Sequence, residues 1–347
     1  MLTKILILAP NWIGDCLLAQ PLFMRLKGKL GSDVRLHALA PPWVAPVLKR
    51  IPELDEVIST PFVHGPLQLR ERWRFARALK GMGYAQAVVL TNTWKSALIP
   101  FFADIPVRIG YVGESRYALL NVLHKLDKHA APPMLERYAQ LAELPGAVPE
   151  KPLPAPFLRH RAFADGPQQA LAKHGLSGTG EIAALCVGAE YGPAKRWPAT
   201  HFAELAQALL ARGVQVWLMG GPKDIEVAQE IARLAPHAHL HNLAGLTTLD
   251  EALDLLQIAS YAVTNDSGLM HVAAALGKPV IALYGSSSAM HTPPHSALAQ
   301  IIEQSDLPCR PCFARECPLG HFKCMNEIAP ARVHLAIMQR SAAICAP

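Results

Sequence analysis

The sequence has no apolar run that could cross a bilayer. Its longest apolar stretches, such as residues 5–10 and 87–90, are strand-sized, and a spanning helix needs about 20 apolar residues. No basic leader or cleavage signal stands before the first strand. The expectation is therefore a cytoplasmic chain, with at most peripheral contact at the inner face of the cytoplasmic membrane. Charged residues are sparse, 17% of 347, while hydrophobic residues make up 51%. That balance excludes a disordered chain and can fill two cores. A Gly-x-Gly-x-x-Gly fingerprint is missing after the first strand, which leaves out the usual dinucleotide site. A nucleic-acid recognition module is missing too, and the aromatics do not interleave with the basic residues, so the net charge of +6 does not indicate a nucleic-acid partner. Acidic residues are the scarcer sign, and their deficit is local. Residues 1–150 hold 18 Lys and Arg against 12 Asp and Glu, and residues 151–347 hold 15 against 15. The surplus lies in the first half, where it suits either an anionic partner or an ordinary solvated face.

What is present is alternation. Residues 4–9, 34–39, 56–59 and 85–91 read as strands, and residues 16–30, 42–50, 67–81 and 94–103 as helices; the apolar runs suit strands buried on both faces. Such alternation implies a parallel sheet with right-handed crossovers. Pro145, Pro149, Pro152, Pro154 and Pro156 then crowd one stretch, which suits neither helix nor ladder and reads as a linker. A second series follows, with strands over 182–187, 214–219, 261–264 and 279–284. Its helices fall over 200–212, 224–234, 248–260, 267–276 and 331–343, and Thr248 with Glu251 fits a capping box. The expected fold class is α/β, with two Rossmann-like, doubly wound domains at 1–157 and 158–330 facing each other across a cleft. Ligands of such sheets sit at the carboxyl ends of the strands.

Four loops follow buried strands. In the first, Asn11, Trp12 and Gly14 lead to Asp15 at a helix start; that carboxylate is either a general base towards a hydroxyl or a helix cap. The second, residues 188–198, sets Gly188, Glu190 and Gly192 before Lys195 and Arg196. Its cations suit diphosphate oxygens, or belong to a plain surface loop. The third, residues 219–224, contains Gly220 and Gly221 and is a nucleotide-pocket wall or an ordinary turn. In the fourth, residues 264–279, the N–H groups of Ser267, Gly268 and Leu269 open a helix, and a helix N-terminus favours anions. Asp266 there orients donor hydroxyls or caps the helix, and His271 is a core histidine or a sugar contact.

The fourth loop, Thr-Asn-Asp-Ser-Gly-Leu-Met-His-Val-Ala-Ala-Ala-Leu-Gly-Lys-Pro, resembles the signature of the lipopolysaccharide heptosyltransferases. Trp12-Ile13-Gly14-Asp15 is similar to that family's Gly-Asp turn, and residues 188–198 look like its ADP-heptose-using subtype II; the resemblance covers about residues 2–340. It implies a GT-B fold whose last segment, 331–347, crosses back to the first domain. It also implies an ADP-heptose donor, heptosyl-Kdo2-lipid A as acceptor, and an α-linked second heptose formed with inversion by single displacement. On the matching positions Asp15 is the base, Lys195 the diphosphate lysine, and Asp266, Ser267 and Gly268 the turn that holds diphosphate and heptose. The expected donor set also includes Gly188, Glu190, Arg196, Gly220, Leu269 and His271. The expected acceptor set is Asn11, Trp12, Gly14, Arg70, Lys95 and Arg116, with Arg72, Arg74, Arg77, Lys80 and Arg108 nearby for lipid phosphates or an anionic membrane surface. Bond cleavage builds positive charge on the sugar ring and negative charge on the leaving phosphate, and domain closure would gate it. No Asp-x-Asp pair stands in these loops to hold Mg²⁺, so no cofactor and no catalytic metal is expected. Subtypes I and III of the same fold, and a non-catalytic nucleotide-sugar-binding protein, are the alternatives.

Seven cysteines are present, with Cys16, Cys186 and Cys345 scattered. Cys309, Cys312, Cys317 and Cys324 are close enough in sequence for a structural zinc. Their 2-4-6 spacing is not a standard zinc pattern, and reduced thiols or disulfides are the other readings.

Overall fold

The computed structural model describes residues 3–31, 33–62, 65–127 and 132–344, with side chains to residue 340; Cys345 lies outside the described residues. The chain divides into two compact units, Met1–Arg159 and His160–Pro347.

Unit 1 opens with β1 (Thr3–Leu8), α1 (Ile13–Leu18) and α2 (Gln20–Leu30). The single helix expected over 16–30 breaks at Ala19, because Pro21 in the first turn of α2 has no N–H to continue α1. Then come β2 (Val34–Ala40), α3 (Ala45–Lys49), β3 (Glu56–Ser59), α4 (Leu69–Lys80), β4 (Tyr84–Val89) and α5 (Trp94–Phe102). The unit ends with β5 (Val107–Tyr111), β6 (Val122–His124) and α6 (Met134–Gln140). Its sheet runs β3-β2-β1-β4-β5-β6, with every neighbouring pair parallel. The winding reverses between β1 and β4. A doubly wound sheet opens its ligand crevice at such a switch. The proline-rich stretch after α6 carries no helix or strand.

Unit 2 comprises α7 (Pro167–His174), β7 (Ile182–Cys186), α8 (Ala199–Leu210), β8 (Gln215–Met219), α9 (Ile225–Leu234) and β9 (Leu240–Asn242). It continues with α10 (Leu249–Ile258), β10 (Tyr261–Asn265), α11 (Gly268–Ala275), β11 (Val280–Tyr284), β12 (Ala299–Glu303), α12 (Lys323–Asn326) and α13 (Pro330–Ile344). The strand order is β12-β11-β10-β7-β8-β9, again parallel throughout. Counted from β7, this is the order of unit 1, with the switch between β7 and β10. Every residue of β7, β10 and β11 is buried, as continuous apolar strands covered on both faces should be. Phe202 and Trp197 lie in the core beside them.

The described side chains of the closing helix include a set that packs within unit 2. Val333, Ala336 and Ile337 enter the core of unit 2, and α13 packs on α8 and β11. Its apolar residues therefore complete the second core.

The capping box at α10 is present. Thr248 accepts from the Glu251 N–H at 3.3 Å, and the Glu251 carboxylate accepts from the Thr248 N–H at 2.9 Å. Thr248→Ala should lower the stability of unit 2 by about 1 kcal/mol, the usual contribution of an N-cap. Urea unfolding followed by circular dichroism measures it, and a change below about 0.3 kcal/mol would deny the cap an energetic role.

Candidate active site

The switch in unit 2 places the loops after β7 and β10 side by side. Asn265, fully buried at the end of β10, joins them. Its amide donates to the carbonyls of Val187 (2.9 Å) and Gly188 (3.3 Å), and its Oδ1 accepts from the Trp197 N–H at 3.0 Å. Trp197 Nε1 donates to the Ile328 carbonyl at 2.9 Å, which anchors the far end of the 188–198 loop in the core. Between these anchors the loop makes a short 3₁₀ turn, Pro193–Lys195. That turn aims Lys195 at Asp266: Nζ donates to Oδ2 at 2.5 Å. Asp266 is 6% exposed, and a buried carboxylate needs such a partner. The ammonium also lies 5.0 Å from the centre of the Tyr191 ring, within cation–π range.

Next to this pair, α11 begins. Ser267 occupies the N-cap with extended backbone and makes no side-chain cap, so the first-turn N–H groups have no capping side chain. Its Oγ faces Thr264 Oγ1 at 3.3 Å. His271, one turn in, is buried, and burial pushes its pKa down to about 4 against the opposing pull of Asp266. Near neutral pH it is an uncharged imidazole. The site thus combines one ammonium, one buried carboxylate, a neutral histidine and the start of a helix, a set suited to a phosphorylated ligand.

The neighbouring turn after β8 is stitched to the same loop. Asp224 Oδ2 accepts from the Gly221 N–H at 2.9 Å and Oδ1 meets Arg196 at 3.3 Å, while burial raises the Asp224 pKa. A Cβ on Gly188 would stand 2.2 Å from Asp224 Oδ2, and one on Gly220 would stand 2.8 Å from Asp224 Cβ. The space beside both glycines is therefore filled by Asp224. Glu190 pairs with Lys223, both well exposed.

In unit 1 the switch brings together the loops after β1 and β4. Trp12, not Asp15, is the N-cap of α1, so the cap reading of Asp15 is set aside. Asp15 stands half-buried in the first helical turn, and its negative charge reaches the Cys16 thiol and the Tyr138 phenol, both pushed up mainly by burial. The Asn11 carbonyl accepts from Trp43 Nε1 at 3.0 Å.

Arg116 requires a correction. It is 1% exposed and cannot present its guanidinium to an acceptor. It donates instead to the carbonyls of Thr91 (2.8 Å), Thr93 (3.3 Å) and Tyr111 (2.5 Å) and to Asn92 Oδ1, holding the β4–α5 loop in shape. Arg72 is likewise buried, donating to the Leu67 carbonyl at 2.7 Å over the Phe62 ring. Lys95 Nζ donates to the Gly65 carbonyl at 2.6 Å, and Arg108 serves the carbonyls of Leu119 and Ile105. Arg70, Arg74, Arg77 and Lys80 are exposed on α4.

The zinc expectation is also corrected. Among the described residues no group of three or more His, Cys, Asp or Glu side chains is placed to hold a metal ion. Cys309, Cys312, Cys317 and Cys324 are free thiols. Cys324 faces the core, Cys312 faces solvent, and Cys317 Sγ accepts from the Phe322 N–H at 3.4 Å.

Comparison with known proteins agrees with this geometry. Residues 72–323 match the family model of glycosyltransferase family 9 (heptosyltransferase). The chain belongs to glycosyltransferase family 9. It is 45% identical over 305 residues to lipopolysaccharide heptosyltransferase 2 of Salmonella typhimurium, covering 86% of this chain and 87% of that one. It is 40% identical over 340 residues to lipooligosaccharide heptosyltransferase 2 of Haemophilus ducreyi, covering 95% and 97%. The solved structure of the Escherichia coli ADP-heptose LPS heptosyltransferase II superposes with a TM-score of 0.86 at 38% identity, covering 97% of this chain and 98% of that one. The family 9 chain is thus a glycosyltransferase. Two residues of its second unit escaped the sequence reading, Asn265 as the clasp between loops and Ser287 as a second donor to Asp266 (2.5 Å). Only their type could have signalled them, since a polar side chain next to buried strands must find a partner.

The family 9 enzyme should lose stability in acid through His271. A group whose folded pKa is near 4, against 6.5 when exposed, binds fewer protons folded than unfolded between those values. Stability is therefore level above pH about 6.5 and falls as pH drops towards about 4. The groups facing the ring, Asp266, His295 and Lys195, remain in His271→Asn. That variant should show a shallower fall of Tm from pH 7 to 4.5, and an unchanged slope would remove His271 from the acid response.

Proposed function

We propose that this family 9 enzyme transfers L-glycero-D-manno-heptose from ADP-heptose to the first heptose of heptosyl-Kdo2-lipid A, with inversion and without a catalytic metal. The observation that carries the reading is the Lys195–Asp266 pair at the start of α11, on the switch of unit 2. The relatives' names support heptose, its ADP-linked donor and a lipopolysaccharide acceptor. The resemblance of the sequence motifs to the heptosyltransferases points to the first heptose of heptosyl-Kdo2-lipid A as the acceptor sugar.

Asp15 removes the proton from the acceptor hydroxyl as that oxygen attacks the anomeric carbon. The bond from that carbon to the diphosphate oxygen breaks, and ADP departs with the bonding pair. Its added negative charge is met by the Lys195 ammonium and the first N–H groups of α11, donors already in place before charge develops. Asp266 holds sugar hydroxyls, and the uncharged His271 can do so without adding charge. No step of this scheme calls for a cation beyond Lys195.

The acceptor is lipid-borne, and unit 1 carries a face that suits an anionic membrane surface. Leu69, Arg70, Trp73, Arg74, Arg77 and Lys80 are exposed on α4, while Arg72, Ala76 and Leu79 of the opposite side are buried. All four tryptophans of unit 1, Trp12, Trp43, Trp73 and Trp94, are exposed, whereas Trp197 and Trp217 of unit 2 are buried. Tryptophan prefers the headgroup level, and each basic residue near such a surface contributes about 1 kcal/mol.

Asp15→Ala should leave ADP affinity and Tm near wild type while turnover of ADP-heptose on a heptosyl-Kdo2-lipid A acceptor falls about 10²–10⁴-fold. Near-normal turnover would remove Asp15 as base. Lys195→Ala should weaken ADP about 10- to 100-fold by calorimetry, with Tm recorded because the buried Asp266 loses its partner. Unchanged ADP affinity would count against the diphosphate role.

Sedimentation with vesicles tests the membrane face. The enzyme should bind vesicles rich in phosphatidylglycerol and not neutral ones, and Arg70→Glu with Arg74→Glu should cut that binding at least about tenfold. Equal binding to both vesicle types would overturn the contact.

A further inference from the structure

We infer that Ser287 and Arg310 are positioning residues for donor binding, acting through Asp266 on Lys195. The inference rests on the reading of unit 2 as the diphosphate site and deepens it.

Asp266 Oδ2 receives donors from two separate turns. One is Lys195 Nζ and the other Ser287 Oγ, each at 2.5 Å. Ser287 is 3% exposed, so its hydroxyl serves the carboxylate and not solvent. It belongs to the turn after β11. There Gly285 stands against the Ala194 carbonyl, where a Cβ would come within 2.5 Å, and the Ser286 N–H donates to the same oxygen at 3.2 Å. The turns that deliver Lys195 and Ser287 are therefore seated on each other through backbone.

A third segment, residues 310–315, braces both. The Phe313 N–H donates to the Ser286 carbonyl at 2.8 Å, and Ser286 Oγ to the Ala314 carbonyl at 3.0 Å. The Ala194 N–H donates to the Arg315 carbonyl at 3.0 Å, and Tyr191 Oη to the Phe313 carbonyl at 2.7 Å. A Cβ on Gly192 would lie 2.5 Å from the Arg315 oxygen, so the brace fits only with glycine there. Arg310 locks the base of the arrangement. Its Nε donates to the Gly285 carbonyl at 2.5 Å and its Nη2 to the Ser287 carbonyl at 3.2 Å. Its Nη1 donates to Gln304 at 2.8 Å, and Nη2 also meets Glu303 Oε2 at 2.9 Å. One planar fork thus holds carbonyls on both sides of Ser286, which an ammonium could not do.

The arrangement bears on how Lys195 meets a diphosphate. The ammonium must be shared between Asp266 and the incoming phosphates. The Ser287 hydroxyl meets part of the demand of Oδ2 and fixes the carboxylate in one orientation. Without it, the carboxylate holds Lys195 more tightly and from a less defined place, and the diphosphate competes less well. Lys195 faces the diphosphate before and during bond cleavage, so the effect falls on donor affinity and KM more than on kcat.

The test combines ADP calorimetry with steady-state turnover of ADP-heptose, with Tm recorded for each variant. Ser287→Ala should weaken ADP and raise donor KM about tenfold, the effect of a hydrogen bond to a charged group, with kcat changed by less than about threefold. Ser287→Thr, which keeps the hydroxyl, should restore affinity. Arg310→Lys should resemble Ser287→Ala. In the Lys195→Ala background, titrated to millimolar ADP, both variants should be silent, since they act through that ammonium. Wild-type ADP affinity in Ser287→Ala, or an equal loss with and without Lys195, overturns the inference alone. Failure of the wild-type chain to bind ADP overturns the donor reading and this inference together.

Discussion

A carboxylate buried at the end of a parallel strand sets the terms for unit 2. Taking Asp266 out of water costs several kcal/mol unless a cation and hydrogen-bond donors compensate. The compensation comes from a long way off in sequence: Lys195 is 71 residues upstream and Ser287 21 residues downstream. Each arrives on a turn leaving a different strand, β7 and β11, the two neighbours of β10 in the sheet. The strand order therefore has to be the one observed for the carboxylate to be tolerated. The same carboxylate makes the site useful, because an ammonium held by one anion can be offered to another.

That dependence explains what the sequence reveals and what it hides. Strands such as β7 and β11 are legible, because a run buried on both faces has no polar interruptions, and β10 shows the same apolar start before Thr264 and Asn265. The loops after β7 and β10 are legible for the same reason, and Lys195, Asp266 and the start of α11 lie in them. Three short strands are not. β6 and β9 have three residues each and are at most half-buried for most of their length, and β12 alternates poorly with one buried residue in five; none carries a pattern that marks a strand, whereas the edge strand β3 is read at its observed bounds. Partners across the sheet are hidden as well. Ser287 sits in a run of three serines that reads as a plain turn, and only the fold brings it to Asp266.

Arg116 shows the opposite failure, a residue too readily assigned. An arginine in a basic half of the chain invites an anionic ligand, yet backbone carbonyls are an equally good match for its fork of donors. The carbonyls of Thr91, Thr93 and Tyr111 take it into the interior, and its burial depresses its pKa. Composition cannot tell these two uses of arginine apart, because the distinction is which side of the chain the donors face. The basic surplus of unit 1 is accordingly smaller at its surface than in its sequence, and α4 carries four of the exposed cations, Arg70, Arg74, Arg77 and Lys80.

The two units share a strand order but not a chemistry, and the difference lies in the loops at the two switches. In unit 1 the loop after β1 ends in a half-buried aspartate, and the loop after β4 is tied down from within by Arg116. In unit 2 the corresponding loops carry a lysine, a buried carboxylate and a helix start. Lys195 and Asp266 meet only because the strand order of unit 2 sets the loops after β7 and β10 next to each other, so in this unit the charge pair is a product of the switch rather than of either loop alone.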